Sequence, residues 1–190
     1  MQFHVILARV QQILLNPKAA WAQIDTEPSN IQDIYRDYII PLAAIPPVAT
    51  FLGMAAFGLR FAIIPALVSF ALALAAVYVF ALIIDYLAPQ FKAARNMGQA
   101  FKVAAYAPTG AWVAGACNII PGVGGIISVI GALYSLYLLF LGLPMLMRPP
   151  EDKATNYTIA ALICAVVVEL VLAAIIGRLF APSVVAVTHS

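Results

Sequence analysis

The stretch CAVVVELVLAAIIG, residues 164–177, carries one acid, Glu169, in an apolar run with no basic residue within eight positions. A second acid, Asp85, ends another apolar run that begins at Phe61. A carboxyl group in such a setting has two chemical uses. It binds a proton or an ion on a transport path, or it stays neutral and cross-links helices through hydrogen bonds. Both readings are open for Glu169. No Lys, Arg or His falls inside the predicted spans except Lys102 and Arg178 near span ends, so its expected place is the bundle interior, as a neutral acid or bonded to hydroxyls and amides. Tyr78, Thr109, Tyr134 and Ser135 lie at compatible depth and are the candidate partners. Asp85 lies near the inner end of its run, within reach of Lys92 or Arg95, where an interfacial or structural role is expected.

Other chemistries have no residues to perform them. There is no HExxH, no GxSxG, no P-loop and no cysteine pair at metal-ligand spacing. Both histidines, His4 and His189, are terminal. An intramembrane serine protease needs a base, and a metalloprotease needs ligands, that the chain does not supply. The expectation is a non-enzymatic protein with no catalytic residue, metal or cofactor. Cys117 and Cys164 are expected at different depths, beyond the roughly 7 Å Cα separation that a disulfide tolerates.

The elements that position the acids follow from composition. Of 190 residues, 64% are hydrophobic and 9% charged. A soluble domain carries about 25% charged residues, so this chain could not cover itself in water and reads as an integral membrane protein. A net charge of +2 from dispersed basic residues excludes a nucleic-acid partner. A crossing of the roughly 30 Å hydrocarbon core takes about 20 apolar residues, and five such runs are present. They predict an all-α bundle of five transmembrane helices with spans near 38–59, 61–88, 99–119, 123–147 and 154–178. NIIPGVGG, Asn118 to Gly125, separates the third from the fourth because Pro and clustered Gly break a helix. With the N-terminus inside, the cytoplasmic segments hold Arg9, Lys18, Arg36, Lys92, Arg95, Lys102, Arg148 and Lys153, and the outer side only Arg60 and Arg178. The positive-inside rule therefore places the N-terminus in the cytoplasm and the C-terminus outside. Lys102 and Arg178, near span ends, are expected to snorkel outward.

Residues 1–37 form a cytoplasmic amphipathic arm, 38–182 the membrane domain and 183–190 a short outer tail. In the arm Phe3, Ile6, Leu7, Val10, Ile13 and Leu14 recur at helical spacing. Asn16-Pro17 starts a second helix. This arm lies on the membrane surface or packs on the inner end of the bundle. Its acids, Asp25, Glu27, Asp33 and Asp37, suit a solvated face or a partner-binding one better than anionic lipid. Helix breaks are expected at Pro46 and Pro47 in the first span and at Pro108 and Gly110 in the third. Such breaks mark substrate sites in many transporters, but Pro and Gly are also common in ordinary membrane helices. Small residues four apart, Ala71 with Ala75 and Gly131 with Ser135, mark close helix contacts within or between chains.

NPKAAWAQI (16–24), YIIPLAAIPPVA (38–49), FKVAAYAPTG (101–110) and YSLYLLFLGLP (134–144), in this order and spacing, resemble the Yip family of five-span membrane proteins. The resemblance covers roughly Gln11 to Phe180, and the length and short arm look like the prokaryotic branch. It implies a multi-pass protein of the bacterial cytoplasmic (inner) membrane. It also implies a non-enzymatic role in organising membrane or protein partners. Membrane lipids, another membrane protein and a homo-oligomer are the expected partners. Eukaryotic relatives bind prenylated Rab-type GTPases and act in trafficking through longer cytoplasmic regions, so GTPase binding does not carry over to this short arm. The alternative function is a small transporter or channel component using Glu169 as its proton- or ion-binding acid.

Overall fold

In the computed structural model, residues 3–54, 59–120 and 122–187 are described, with side chains over 4–54, 63–120 and 122–179. Every regular element among them is helical, and the protein is an all-α polytopic membrane protein. Four stretches are long and apolar enough to cross a membrane: Ile31–Met54, Ile63–Phe91, Val123–Met147 and Glu151–Leu179.

The first stretch is assembled from short pieces. Helix α3 (Ile31–Ile34) starts on Asn30, whose side chain accepts the Gln32 N–H at 3.1 Å. Helical structure therefore begins seven residues before Tyr38, inside what the charges marked as the arm. A π-helical turn, Tyr35–Ile39, follows, with the Ile40 N–H bonded to the Tyr35 carbonyl. Pro41 explains that widened turn, since its ring collides with the carbonyl four residues earlier in a regular helix. Then come α4 (Ile40–Ala43) and α5 (Ile45–Met54). Pro46 and Pro47 fall in the first turn of α5, where a missing N–H is tolerated. The expected break is consequently slight: Ala44 keeps helical dihedrals, φ −74° and ψ −21°.

Helix α6 (Leu59–Leu87) runs through Pro65 into a 3₁₀ turn, Ala88–Phe91, closed by Lys92 at φ 59°. The third predicted span is interrupted. It comprises α7 (Met97–Tyr106), α8 (Thr109–Ala114) and a 3₁₀ turn, Gly115–Ile119, none of which alone has the length of a crossing. Gly122, at φ 87°, reverses the chain into α9 (Val123–Met147), which Arg148 closes at φ 47°. Helix α10 spans Glu151–Val187. The four residues 55–58, the side chain of Arg60, and His189 with the rest of 188–190 lie outside the described residues.

The arm is part of the bundle. Helices α1 (Phe3–Leu15) and α2 (Pro17–Thr26) form an antiparallel hairpin tied by an Arg9–Glu27 ion pair and a 2.6 Å Gln12–Gln23 hydrogen bond. Ile13 is fully buried and Ile6, Val10 and Leu14 partly so, whereas Leu7 faces outward. Asn16 and Pro17 begin α2 as expected, but the Asn16 side chain makes no capping bond. The hairpin reaches into the bundle beyond the end at which Arg148 closes α9: Tyr134 donates to the Leu14 carbonyl at 2.6 Å. Tyr134 lies roughly 20 Å along α9 from Arg148, at about 1.5 Å per residue. The core consequently sits in the half of the bundle toward Arg148, where Trp21, Ile24, Phe101, Leu138, Leu139, Leu143 and Tyr157 are fully buried.

Candidate functional site

Pro108 creates the first polar site. It separates α7 from α8 and leaves the leading N–H groups of α8 without partners in their own helix. Three hydroxyls repair the gap. Thr109 Oγ1 donates to the Tyr106 carbonyl at 2.6 Å and lies 2.7 Å from the Tyr38 hydroxyl. A hydroxyl has one proton, so with that of Thr109 engaged, Tyr38 is the donor between them. The Ala111 N–H donates to Ser135 Oγ at 2.9 Å. Both Tyr38 and Thr109 are buried. Close approach of α8 and α9 makes this possible. A Cβ on Gly131 would stand 2.3 Å from the Ala114 Cβ, and one on Gly110 3.0 Å from the Gly131 carbonyl. The Gly131–Ser135 pair therefore packs within the chain, whereas Ala71 and Ala75 face outward.

A second polar site holds the arm. Lys102 is 1% exposed and turned inward, contrary to the expectation that it would snorkel to the interface. Its ammonium donates to the carbonyls of Ile24 at 2.8 Å, Asp25 at 3.4 Å and Glu27. These carbonyls lie at and just beyond the end of α2, where helical N–H partners run out; that of Ile24 also accepts the Glu27 N–H at 3.2 Å. The cation also meets the negative end of the α2 dipole, which is why the arm, and not water, receives it. Gln99 Nε2 adds a 3.0 Å bond to Asp25 Oδ1, and exposed Arg148 a 2.6 Å bond to Asp25 Oδ2. Trp21 is fully buried against Gly142, where a Cβ would lie 2.5 Å from the indole ring. Beside this clasp a cavity of about 200 Å³ is lined by residues including Arg9, Glu27, Asp33, Asp37, Tyr38 and Tyr106.

The two acids stand elsewhere. Glu169 is on the exposed face of α10, with no hydrogen-bond or ion-pair partner among the described residues. The expected bonds to Tyr78, Thr109, Tyr134 and Ser135 are not made. Thr109, Tyr134 and Ser135 are engaged as above, and Tyr78 is 43% exposed beside Phe101 on the α6 side. The reason is backbone supply. Pro108 and the end of α1 free backbone groups that compete for those hydroxyls at shorter range than α10 can offer. Asp85 is near Arg95, with Oδ2 4.0 Å from Nε, while its Oδ1 is buried without a partner.

Both cysteines are free. Among the described residues no group of three or more His, Cys, Asp or Glu side chains could hold a metal ion. The buried hydroxyls and the Lys102 ammonium are bonded to backbone or to each other, the chemistry of a brace. Sequence reasoning passed over Lys102, Trp21, Gly142 and Tyr38 as site residues. The available signal was that all four lie in the stretches NPKAAWAQI, YIIPLAAIPPVA, FKVAAYAPTG and YSLYLLFLGLP. Those stretches meet in space through Trp21 on Gly142, Tyr38 on Thr109, Lys102 on Ile24 and Gly110 on Tyr134 and Ser135.

No curated protein and no solved structure matches the chain. A family model described as the Yip1 domain matches residues 12–175, a range that contains the hairpin's second helix, the Pro108 junction, Asp85 and Glu169. The protein is thus a multi-pass membrane protein belonging to the Yip1 domain family.

Proposed function

We propose that the protein is a non-enzymatic membrane organiser that works by associating with a second copy of itself through α10. One observation carries this reading: the membrane-spanning window of α10 is only 6% buried in the bundle, yet it bears Glu169 on its open face. A carboxyl group facing lipid at mid-span costs about 2.5–3.5 kcal/mol on insertion scales. Two such groups meeting across a twofold axis share a hydrogen bond, which offsets part of that cost. Ala165, Glu169, Ala173 and Gly177 follow one another at four-residue spacing, the ridge along which helices approach closely. Glu169, Ala173 and Gly177 are all exposed, and nothing lies within 4 Å of the position a Gly177 Cβ would take.

The alternative of a transporter drew on an acid inside the bundle beside the interrupted third span. The outward position of Glu169 removes that support. In the proposed topology 99–119, the third span in chain order, brings the crossings to five, and the arm faces the cytoplasm of a bacterial cell, in its inner membrane. The support is the eight-to-two excess of Lys and Arg on the arm side.

The test is native mass spectrometry of the full chain in mild detergent, with Glu169→Gln and Glu169→Leu. Interhelical polar contacts in membranes contribute about 1–2 kcal/mol, so Glu169→Leu should weaken the dimer about 5- to 30-fold. Glu169→Gln, which keeps a donor and an acceptor, should retain it. A monomeric parent, or equal dimer in all three, refutes the reading.

A further inference from the structure

A groove on the outer surface of α6, about 430 Å³ in volume, runs along Val79, Leu82, Ile83 and Tyr86 and ends at Asp85 and Arg95. The apolar four recur at i, i+3, i+4 and i+7, so they form one continuous stripe on the helix. Val79 and Leu82 are 47% and 46% exposed, the exposure of a wall that faces acyl chains. The polar end lies where α6 passes into its terminal 3₁₀ turn, at the same end of the bundle as the arm.

The charges at that end are incompletely matched. Asp85 and Arg95 approach only to 4.0 Å, between Oδ2 and Nε, and the Arg95 side chain is 56% exposed. Its guanidinium carbon lies 5.7 Å from the centre of the Tyr86 ring, which holds it at the groove mouth. Asp85 Oδ1 is buried and has no hydrogen-bond donor. The nearby Tyr157 hydroxyl does not supply one, because it donates to the Ile84 carbonyl at 2.6 Å. A carboxylate that receives no hydrogen bond is costly; Oδ1 is closed off, and the accessible part of Asp85, with Oδ2 toward Arg95, lines the groove, so a donor seated there reaches the carboxylate through Oδ2.

We propose that this groove binds a phospholipid with a primary ammonium headgroup, seated with its acyl chain along the α6 stripe. The ammonium donates to the Asp85 carboxylate through Oδ2, and the phosphate meets Arg95 from the exposed side. This combination selects among lipids. A quaternary ammonium has no N–H for the carboxylate, and an anionic glycerol headgroup places no cation beside Asp85. The inference stands apart from self-association, which concerns the open face of α10.

Native mass spectrometry of the full chain, released from nanodiscs containing phosphatidylethanolamine, phosphatidylcholine or phosphatidylglycerol of identical acyl chains, tests it. The parent should retain phosphatidylethanolamine about tenfold more than phosphatidylcholine, the effect of one charge-assisted hydrogen bond. Asp85→Asn should remove that preference while leaving bound phosphatidylcholine unchanged. Arg95→Gln, at a surface position whose loss leaves the fold intact, should lower retention of all three lipids. Equal retention of the ethanolamine and choline lipids by the parent overturns the proposal. So does a preference for the glycerol lipid, or an ethanolamine preference that survives Asp85→Asn.

Discussion

Replacing Lys102 by Met should release the arm from the bundle without unfolding the long helices. The ammonium serves three carbonyls, those of Ile24, Asp25 and Glu27, at a site 1% exposed. A hydrogen bond to a charged group contributes about 1.5–3 kcal/mol, and carbonyls left unpaired in a buried place lose more. The three contacts share one cation and do not add, so about 2–4 kcal/mol is a reasonable total. The other polar links from arm to bundle, Gln99–Asp25, Tyr134–Leu14 and Arg148–Asp25, remain in the mutant, and the last joins a side chain 74% exposed and contributes at most about 1 kcal/mol. Undocking should therefore become about 30- to 700-fold more favourable in Lys102→Met. Hydrogen exchange of the protein in nanodiscs reads this opening directly. Amides of α2 should exchange faster by that factor and those of α9 and α10 at the parent rate. Unchanged protection across α2 would show that Trp21 burial alone holds the arm and that the Lys102 geometry contributes nothing.

Gly142→Val should loosen the same arm from the other side. A Cβ there lies 2.5 Å from Trp21, so the indole must move by about 1 Å at a cost of about 1–3 kcal/mol. On a Trp112→Phe background, Trp21 fluorescence should shift to the red, and an unshifted spectrum contradicts the packing. At the Pro108 junction, Thr109→Val and Tyr38→Phe should each lower thermal stability in detergent. Because the two hydroxyls are bonded, the double mutant should lose less than the sum, by about 0.6–1.7 kcal/mol; strict additivity rules the bond out.

Much of the architecture was readable because lipid imposes it. A backbone in hydrocarbon must satisfy its own hydrogen bonds, so long apolar runs have to be helices, and α6, α9 and α10 follow from composition alone. Pro108 and the PGVGG turn were likewise legible, since proline and glycine act locally. The direction each side chain faces was not. Glu169 read as an interior acid because the cost of a lipid-facing carboxyl was the only force visible in the sequence. In the fold, three of the four hydroxyls that could have met it, those of Thr109, Tyr134 and Ser135, are taken by backbone groups that Pro108 and the end of α1 set free. Lys102 failed in the opposite sense. A cation near a span end ordinarily reaches for water, but the C-terminus of α2, 75 residues away from it in sequence at Glu27, brings carbonyls to it first.

The sequence by itself determined a helical, multi-pass membrane protein of this family, with its breakers in place and its charges gathered at one end, because those properties depend on local composition and on the thickness of the bilayer. Only the tertiary structure decided that the arm is inserted into the bundle, that the third segment is braced by Tyr38, Thr109 and Ser135, and that Glu169 faces outward. Those outcomes depend on which of several distant groups reaches a given hydrogen-bonding partner first, a competition settled by packing geometry.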